Sequence, residues 1–240
     1  MKHVLGLIPA RGGSKGLPRK NIRMLAGKPM ISWTIESAKM SRLLDQTIVS
    51  TEDEEIAEIS RLWGVEVPFM RPSTLAQDDS SSASVAIHAL EWLIKNAGYQ
   101  PDYLVLLQPT SPLRTANDID MSIELAYEKD AEAVVSVEET HVHPYLTRQM
   151  TKEGKLIEFV ECSIPYMRRQ VLPKAYFING AIFIIRSESL IAKKTFYPEG
   201  TYGYIMPSER SLQVDTRWDF DLANVIISNN LNKSETHLNL

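Results

Sequence analysis

The sequence predicts an α/β protein built on a mostly parallel sheet with helices on both faces. Short apolar runs alternate with helical periodicity over about the first 140 residues. One run, Tyr103-Leu104-Val105-Leu106-Leu107, is apolar without a break, as a central parallel strand covered on both faces should be. Polar loops follow the strands, and ligands of open parallel sheets bind beyond the carboxyl ends of strands.

In chain order, Val4 to Ile8 is a short buried strand ending at Pro9. Pro29 suits the first turn of a helix, whose apolar stripe (Met30, Ile31, Trp33, Ile35, Ala38) runs to about Met40. Thr47 to Ser50 is a second strand. Thr51-Glu52-Asp53-Glu54 has the Thr-x-x-Glu form of a capping box and opens a helix to about Trp63, with its acids as ordinary first-turn residues. Gly64 stops that helix, and Val65-Glu66-Val67 is a short third strand. Ser80-Ser81-Ser82 precedes a helix with Val85, Ala86, Ala89, Leu90 and Leu93 on one face. Strand Tyr103–Leu107 leads into the turn Gln108–Arg114, and Thr115 to Asp118 caps a helix reaching about Lys129. Ala133 to Val137 is the fifth strand. From His141 to Pro173 the rhythm lapses, which predicts a small lobe inserted into the main domain (1–140 and 174–231). Gly180 to Ile185 and Gln213 to Asp215 are the last strands, Phe220 to Leu231 the last helix, and 232–240 a tail.

Size and composition suit one such domain. The 240 residues are 44% hydrophobic, enough for a sizeable core. A net charge of −4 argues against nucleic acid or a membrane surface as partner. Cys162 is the only cysteine, so no internal disulfide forms and a reducing compartment fits. No apolar run approaches membrane-spanning length and no secretory h-region opens the chain, so a soluble cytoplasmic protein is expected. His141 and His143 lack a third ligand at zinc-site spacing and read as loop residues.

Against this acidic background the loop Arg11-Gly12-Gly13-Ser14-Lys15-Gly16-Leu17-Pro18-Arg19-Lys20-Asn21 is a basic island. Glycines let a backbone approach a ligand closely, and successive N–H groups form anion-holding concavities. Cations around the same loop point to a polyphosphate. The spacing matches neither the P-loop nor the dinucleotide fingerprint, so side chains rather than backbone are expected to hold most of the phosphate charge. Three polar loops lie at strand ends, Arg11–Asn21, Arg71–Ser82 and Gln108–Arg114, and their convergence on one pocket is expected.

The motif Arg11-x-x-Ser14-Lys15-Gly16-x-x-x-Lys20-Asn21, continued by Leu25-x-Gly27-Lys28-Pro29, resembles the signature of the acylneuraminate cytidylyltransferases. Arg71-Pro72-x-x-Leu75-Ala76, Leu107-Gln108-Pro109-Thr110-Ser111-Pro112-Leu113-Arg114 and Asn179-Gly180-Ala181-Ile182 extend the resemblance in order over most of the chain. It implies a Rossmann-like nucleotidyltransferase fold and a reaction in which CTP and a nine-carbon 2-keto sugar acid give CMP-sugar and pyrophosphate. It also implies roles. Arg11, Lys15 and Lys20 would be the catalytic cations. Ala10, Ser14, Asn21, Arg71, Ser82, Gln108, Pro109 and Thr110 would line the nucleotide site. Arg169, Gln170 and Asn179 would face the sugar acid, and Asp215 would hold Mg²⁺. A twofold partner is expected, formed partly through the lobe.

The chain departs from that family's pattern at two places. Where the family often carries Asp-x-Asp, this chain has Gln213-Val214-Asp215, with one carboxylate instead of two. Tyr145-Leu146 stands where a lysine is common, and aromatic Tyr176-Phe177 precedes Ile178-Asn179. A less polar sugar pocket points to acyl-rich relatives of sialic acid, such as legionaminic or pseudaminic acid. Two alternatives stand beside this reading: another sugar nucleotidyltransferase of the CMP-Kdo type, or a non-catalytic nucleotide-binding protein. Gln108 and Asn179 could also simply satisfy buried backbone at strand ends, and Arg114 could brace its helix.

Overall fold

The computed structural model describes residues 2–14, 16–161 and 171–238. The strands are β1 (Val4–Pro9), β2 (Met24–Leu25), β3 (Lys28–Pro29), β4 (Gln46–Ser50), β5 (Tyr103–Leu107), β6 (Ala133–Glu139), β7 (Arg148–Met150), β8 (Leu156–Glu158), β9 (Tyr176–Arg186) and β10 (Tyr202–Ile205). The helices are α1 (Met30–Lys39), α2 (Glu54–Leu62), α3 (Ser82–Ala97), α4 (Ala116–Glu128), α5 (Ser187–Lys193) and α6 (Arg217–Leu238). Six strands make the main sheet in the order β10-β6-β9-β5-β1-β4. All pairs in it are parallel except those of β9, which runs antiparallel between β5 and β6.

Strand geometry sends alternate side chains to opposite faces, and both faces here are covered. Tyr103, Val105 and Leu107 of β5 pack with α1, α2 and α4 through Ile31, Ile35, Ile56, Ile119 and Ile123. Leu104 and Leu106 point the other way, onto Ala86, Leu90 and Leu93 of α3 and Leu190 of α5. A third cluster joins Leu25 and Met30 to Phe220, Ala223 and Ile227 of α6. Each fully buried Leu or Ile contributes roughly 1.5–3 kcal/mol of transfer free energy, so the double-sided apolar run at β5 anchors the sheet.

Several local expectations need correction. Asp53, not Thr51, caps α2, accepting from the Ile56 N–H at 3.0 Å. Thr51 is still extended, bridging Met70, and the chain turns into the helix two residues later. Val65–Val67 is no strand, because only Glu66 meets a neighbour, in a single parallel bridge to Ile48. Gln213–Asp215 is not a strand of the sheet. Its one ladder-like bond is Val214 N–H to the Thr110 carbonyl, 2.7 Å. α6 runs on to Leu238, past the expected tail boundary at Asn232. α5 and β10 were not expected from the sequence, since their short segments show no clear period.

The lobe region contains a 3-10 turn at Pro144–Leu146 and the β7–β8 hairpin. Its apolar residues Leu146, Met150, Leu156, Ile157 and Phe159 are all exposed.

Candidate active site

The three loops expected to converge do so. A cavity of about 290 Å³ opens at the carboxyl ends of β1 and β5. Its walls include Arg11, Ser14, Lys20 and Asn21 from the first loop, Arg71 and Ser82 from the second, and Gln108, Pro109 and Thr110 from the third. Asp215 and Gln213 close it from the segment before α6. Ala10 is fully buried behind the first loop. Lys15, Arg169 and Gln170 lie outside the described residues.

Each cation on the cavity wall is held in place. Arg11 Nη1 lies 2.9 Å from Asp78 Oδ1 and donates to the Gln77 carbonyl. Lys20 Nζ reaches Asp215 Oδ1 at 2.9 Å and the Val214 carbonyl at 3.0 Å. Asn21 Nδ2 donates to the Arg11 carbonyl at 2.9 Å, fixing the curve of the loop. Arg71 Nη2 donates to Glu52 Oε2 at 2.6 Å. A tetra-anionic ligand can exchange the carboxylates on Arg11 and Lys20 for its own oxygens, because its charge-assisted bonds are of the same kind.

Arg114 lies behind the third loop. Its guanidinium is almost fully buried and donates from Nη1 to the Ala181 carbonyl (2.8 Å) and the Gln108 carbonyl (3.2 Å). It braces the ends of β5 and β9. Desolvation pushes its pKa down to about 9, while nearby Asp118 favours the charged form. Asp118 is buried too. It accepts from Thr115 N–H in a capping box and from both Nε and Nη2 of Arg210 at 2.8 Å. Burial would raise its pKa, yet the bonds from Arg210 and Thr115 prevail and hold it below the usual carboxylate value.

Asn179, implied to face the sugar, does not line this cavity. Pairing between β6 and β9 shifts between Val135 and Val137, leaving a bulge in β9. Asn179 staples it: Oδ1 accepts from Ser136 Oγ (2.6 Å) and Ala181 N–H, and Nδ2 donates to Ser211 Oγ (2.9 Å). Ser136 Oγ in turn accepts the Ile182 N–H at 2.8 Å. These bonds satisfy the Ala181 N–H and two buried hydroxyls at the strand end. The bulge has a consequence beside it, as bulges near sites often do. Gly180 adopts φ +75°, and a Cβ there would meet Gln213 Oε1 at 2.9 Å and Gln108 Oε1 at 3.3 Å.

Several wall residues carry little signal in the sequence. Asp78 faces the basic loop, and the acidic pair Asp78-Asp79 opposite a cationic stretch could have signalled it. A second recess of about 260 Å³ shares Ser82 and Gln108 with the first and is walled by Phe183, Lys194, Phe196 and Tyr197. No spacing in the sequence ties those residues to Gln108; the antiparallel course of β9 does.

A family model described as "Cytidylyltransferase" matches residues 5–202. The chain belongs to the cytidylyltransferase family. Within the family it is 41% identical over 216 residues to an N-acylneuraminate cytidylyltransferase of Streptococcus agalactiae, covering 89% of this chain and 51% of that protein. The chain thus spans about half the length of that relative. It is 34% identical to the CMP-N,N'-diacetyllegionaminic acid synthase of Legionella pneumophila, over 95% of this chain and 97% of the relative. It is 29% identical to the pseudaminic acid cytidylyltransferase of Campylobacter jejuni, over 92% and 95%. Among solved structures, a CMP:2-keto-3-deoxy-manno-octonic acid synthetase complexed with CTP superposes with a TM-score of 0.72 at 17% identity, covering 95% of this chain and 99% of the other. That likeness establishes a shared fold.

Proposed function

We propose that this chain is a nucleotidyltransferase that joins the cytidylyl group of CTP to the 2-hydroxyl of a nine-carbon 2-keto sugar acid. The observation that carries the reading is the convergence of the basic glycine-rich loop, Arg71 and Gln108 on one cavity in a member of this family. Phosphoryl transfer asks the protein mainly for positioning and charge neutralisation, and those are what this wall supplies. Arg11 and Lys20, with Lys15 from the same loop, neutralise the triphosphate. Arg71, Ser82, Asn21 and Gln108 hold the nucleoside. The sugar hydroxyl oxygen attacks the α-phosphorus, the bond to the bridging oxygen breaks, pyrophosphate leaves, and the hydroxyl proton passes to water.

The sugar acid is assigned to the second recess. The aromatic wall of Phe183, Phe196 and Tyr197 suits acyl and methyl groups, and Lys194 suits a carboxylate. A diacylated sugar of the legionaminic type fits that chemistry better than a heavily hydroxylated one.

The residues present fit Mg²⁺. Asp215 and Gln213 both face the cavity, and Mg²⁺ commonly takes one or two carboxylates beside substrate phosphates. Bound there, the ion supplies charge neutralisation at the phosphate oxygens. A homodimer is part of the proposal. The exposed apolar residues Leu146, Met150, Leu156, Ile157 and Phe159 form a surface that a twofold copy would cover; a monomeric mass by light scattering at micromolar protein refutes it. No described helix is long and apolar enough to cross a membrane, and a cytoplasmic location is part of the proposal.

The test is pyrophosphate release with CTP, Mg²⁺ and a panel of sialic, legionaminic, pseudaminic and eight-carbon 2-keto sugar acids. Turnover with a nine-carbon acid is expected. Turnover only with the eight-carbon acid, or with none, overturns the reading.

A further inference from the structure

The acidic start of α2 touches both walls of the nucleotide cavity. Glu52 is its hub. Oε1 accepts the Gly12 N–H at 2.7 Å, and Oε2 accepts from Arg71 Nη2 at 2.6 Å. One carboxylate thus ties the phosphate-side loop to the arginine on the nucleoside side. The Arg71 side chain is 3% exposed against 19% for Glu52, and its Nε is buried without a hydrogen-bond partner. The next residue tightens the same joint. Asp53 lies so close to Gly12 that a Cβ there would collide with its carboxylate. Asp53 and Glu55 together hold Arg19, at the far end of the loop. The Arg19 guanidinium keeps the Asp53 carboxyl below its ordinary pKa.

A buried guanidinium beside a triphosphate has two anions to choose between. Without a partner of its own it would swing to the phosphates, where the charge is largest. We propose that Glu52 is a positioning residue that prevents this: by neutralising Arg71 and fixing it in register with Gly12, it reserves Arg71 for the nucleoside and so sets selectivity for cytosine nucleotides. The inference rests on the reading that the cavity takes CTP. It assigns a role to an acid that a first-turn dipole argument leaves idle. It also explains why the two hydrogen bonds come from opposite walls rather than from one.

Equilibrium binding of CTP, UTP and inorganic tripolyphosphate, each with Mg²⁺, to the full chain tests it. The parent is expected to favour CTP over UTP. In Glu52→Gln that ratio should fall about tenfold, since a misplaced buried polar group costs discrimination, while tripolyphosphate binds no more weakly than to the parent. Glu54→Gln removes a nearby acid, at the first position of α2, that pairs with Arg61, and should change none of the three. Adding Glu52→Gln to Arg71→Ala should not lower the ratio further. If Glu52→Gln does not fold, Glu52→Asp, too short to span both partners, should lower the ratio in the same direction. An unchanged CTP-to-UTP ratio in the Glu52 variants, or an equal loss of all three ligands, overturns the inference. A parent that does not prefer CTP instead overturns the reading of the cavity itself.

Discussion

Replacing Gly180 with alanine probes the junction of fold and site. Two costs follow from its position. An L-residue at φ +75° carries about 1 kcal/mol of backbone strain. The new methyl would also sit 2.9 Å from Gln213 Oε1 and 3.3 Å from Gln108 Oε1, so both amides must move. They are ends of flexible side chains, which puts the packing cost near the low end of overpacking, about 1 kcal/mol. The sum of about 2 kcal/mol should lower Tm by about 4–8 °C for a chain of this size. Because both glutamines wall the cavity, kcat/KM for CTP should fall by roughly tenfold to a hundredfold, the scale of one displaced polar contact. Differential scanning calorimetry and steady-state pyrophosphate release measure the two effects. Gly180→Ala combined with Gln213→Ala should recover part of the lost Tm, less than half, since it relieves the Gln213 collision but not the Gln108 contact or the strain. A Gly180→Ala protein with parental Tm and kcat/KM would falsify the argument that the bulge sets the glutamines.

Arg11→Ala and Lys20→Ala should each reduce kcat/KM by about 10²-fold or more with parental circular dichroism, the usual cost of deleting a donor to developing charge; near-parental turnover means the phosphates lie elsewhere. In a Mg²⁺ titration of rate, Gln213→Asp should lower the half-saturating Mg²⁺ concentration and Asp215→Asn should raise it or abolish turnover, because each changes the site's formal charge by one; parental behaviour of Asp215→Asn removes it from the metal site. Asp118→Asn should cost about 3 kcal/mol at pH 7, as for breaking a buried pair. Its folded pKa is depressed, so its contribution is full above the ordinary carboxylate value and is lost as pH falls through the folded one. Denaturant melts of the parent should therefore lose more stability between pH 6 and about pH 3 than those of the variant; equal losses refute the role.

The legible parts of this chain were those with a strong local signal. β5 announced itself by five consecutive apolar residues, α4 by Thr115 and Asp118, and the basic loop by cations crowded on glycines. Their convergence followed from parallel-sheet geometry alone. What the sequence hid depends on distant pairing. α5 and β10 are short, and nothing local marks β9 as the antiparallel strand that brings Phe183 and Tyr197 near Gln108. Asn179 carries a motif resemblance, but only the β6–β9 bulge reveals that its amide is spent on Ser136, Ala181 and Ser211. Glu52 sits in a run of acids that the sequence marks only as a helix start, and its bonds to Gly12 and Arg71 depend on loops distant in the chain.

Arg114 gives the cavity a property of its own. Surface cations such as Arg11 lose most of their pull on a distant anion once ionic strength shortens the Debye length to about 10 Å or less. A guanidinium 3% exposed, tied to the carbonyls of Gln108 and Ala181, is out of contact with mobile ions and is screened less. With a pKa of about 9 it keeps its charge at neutral pH. Part of the field that a polyanion would meet at the cavity therefore comes from inside the protein and should fade less with added salt. Nucleotide binding should then depend on ionic strength less steeply than surface cations alone would make it.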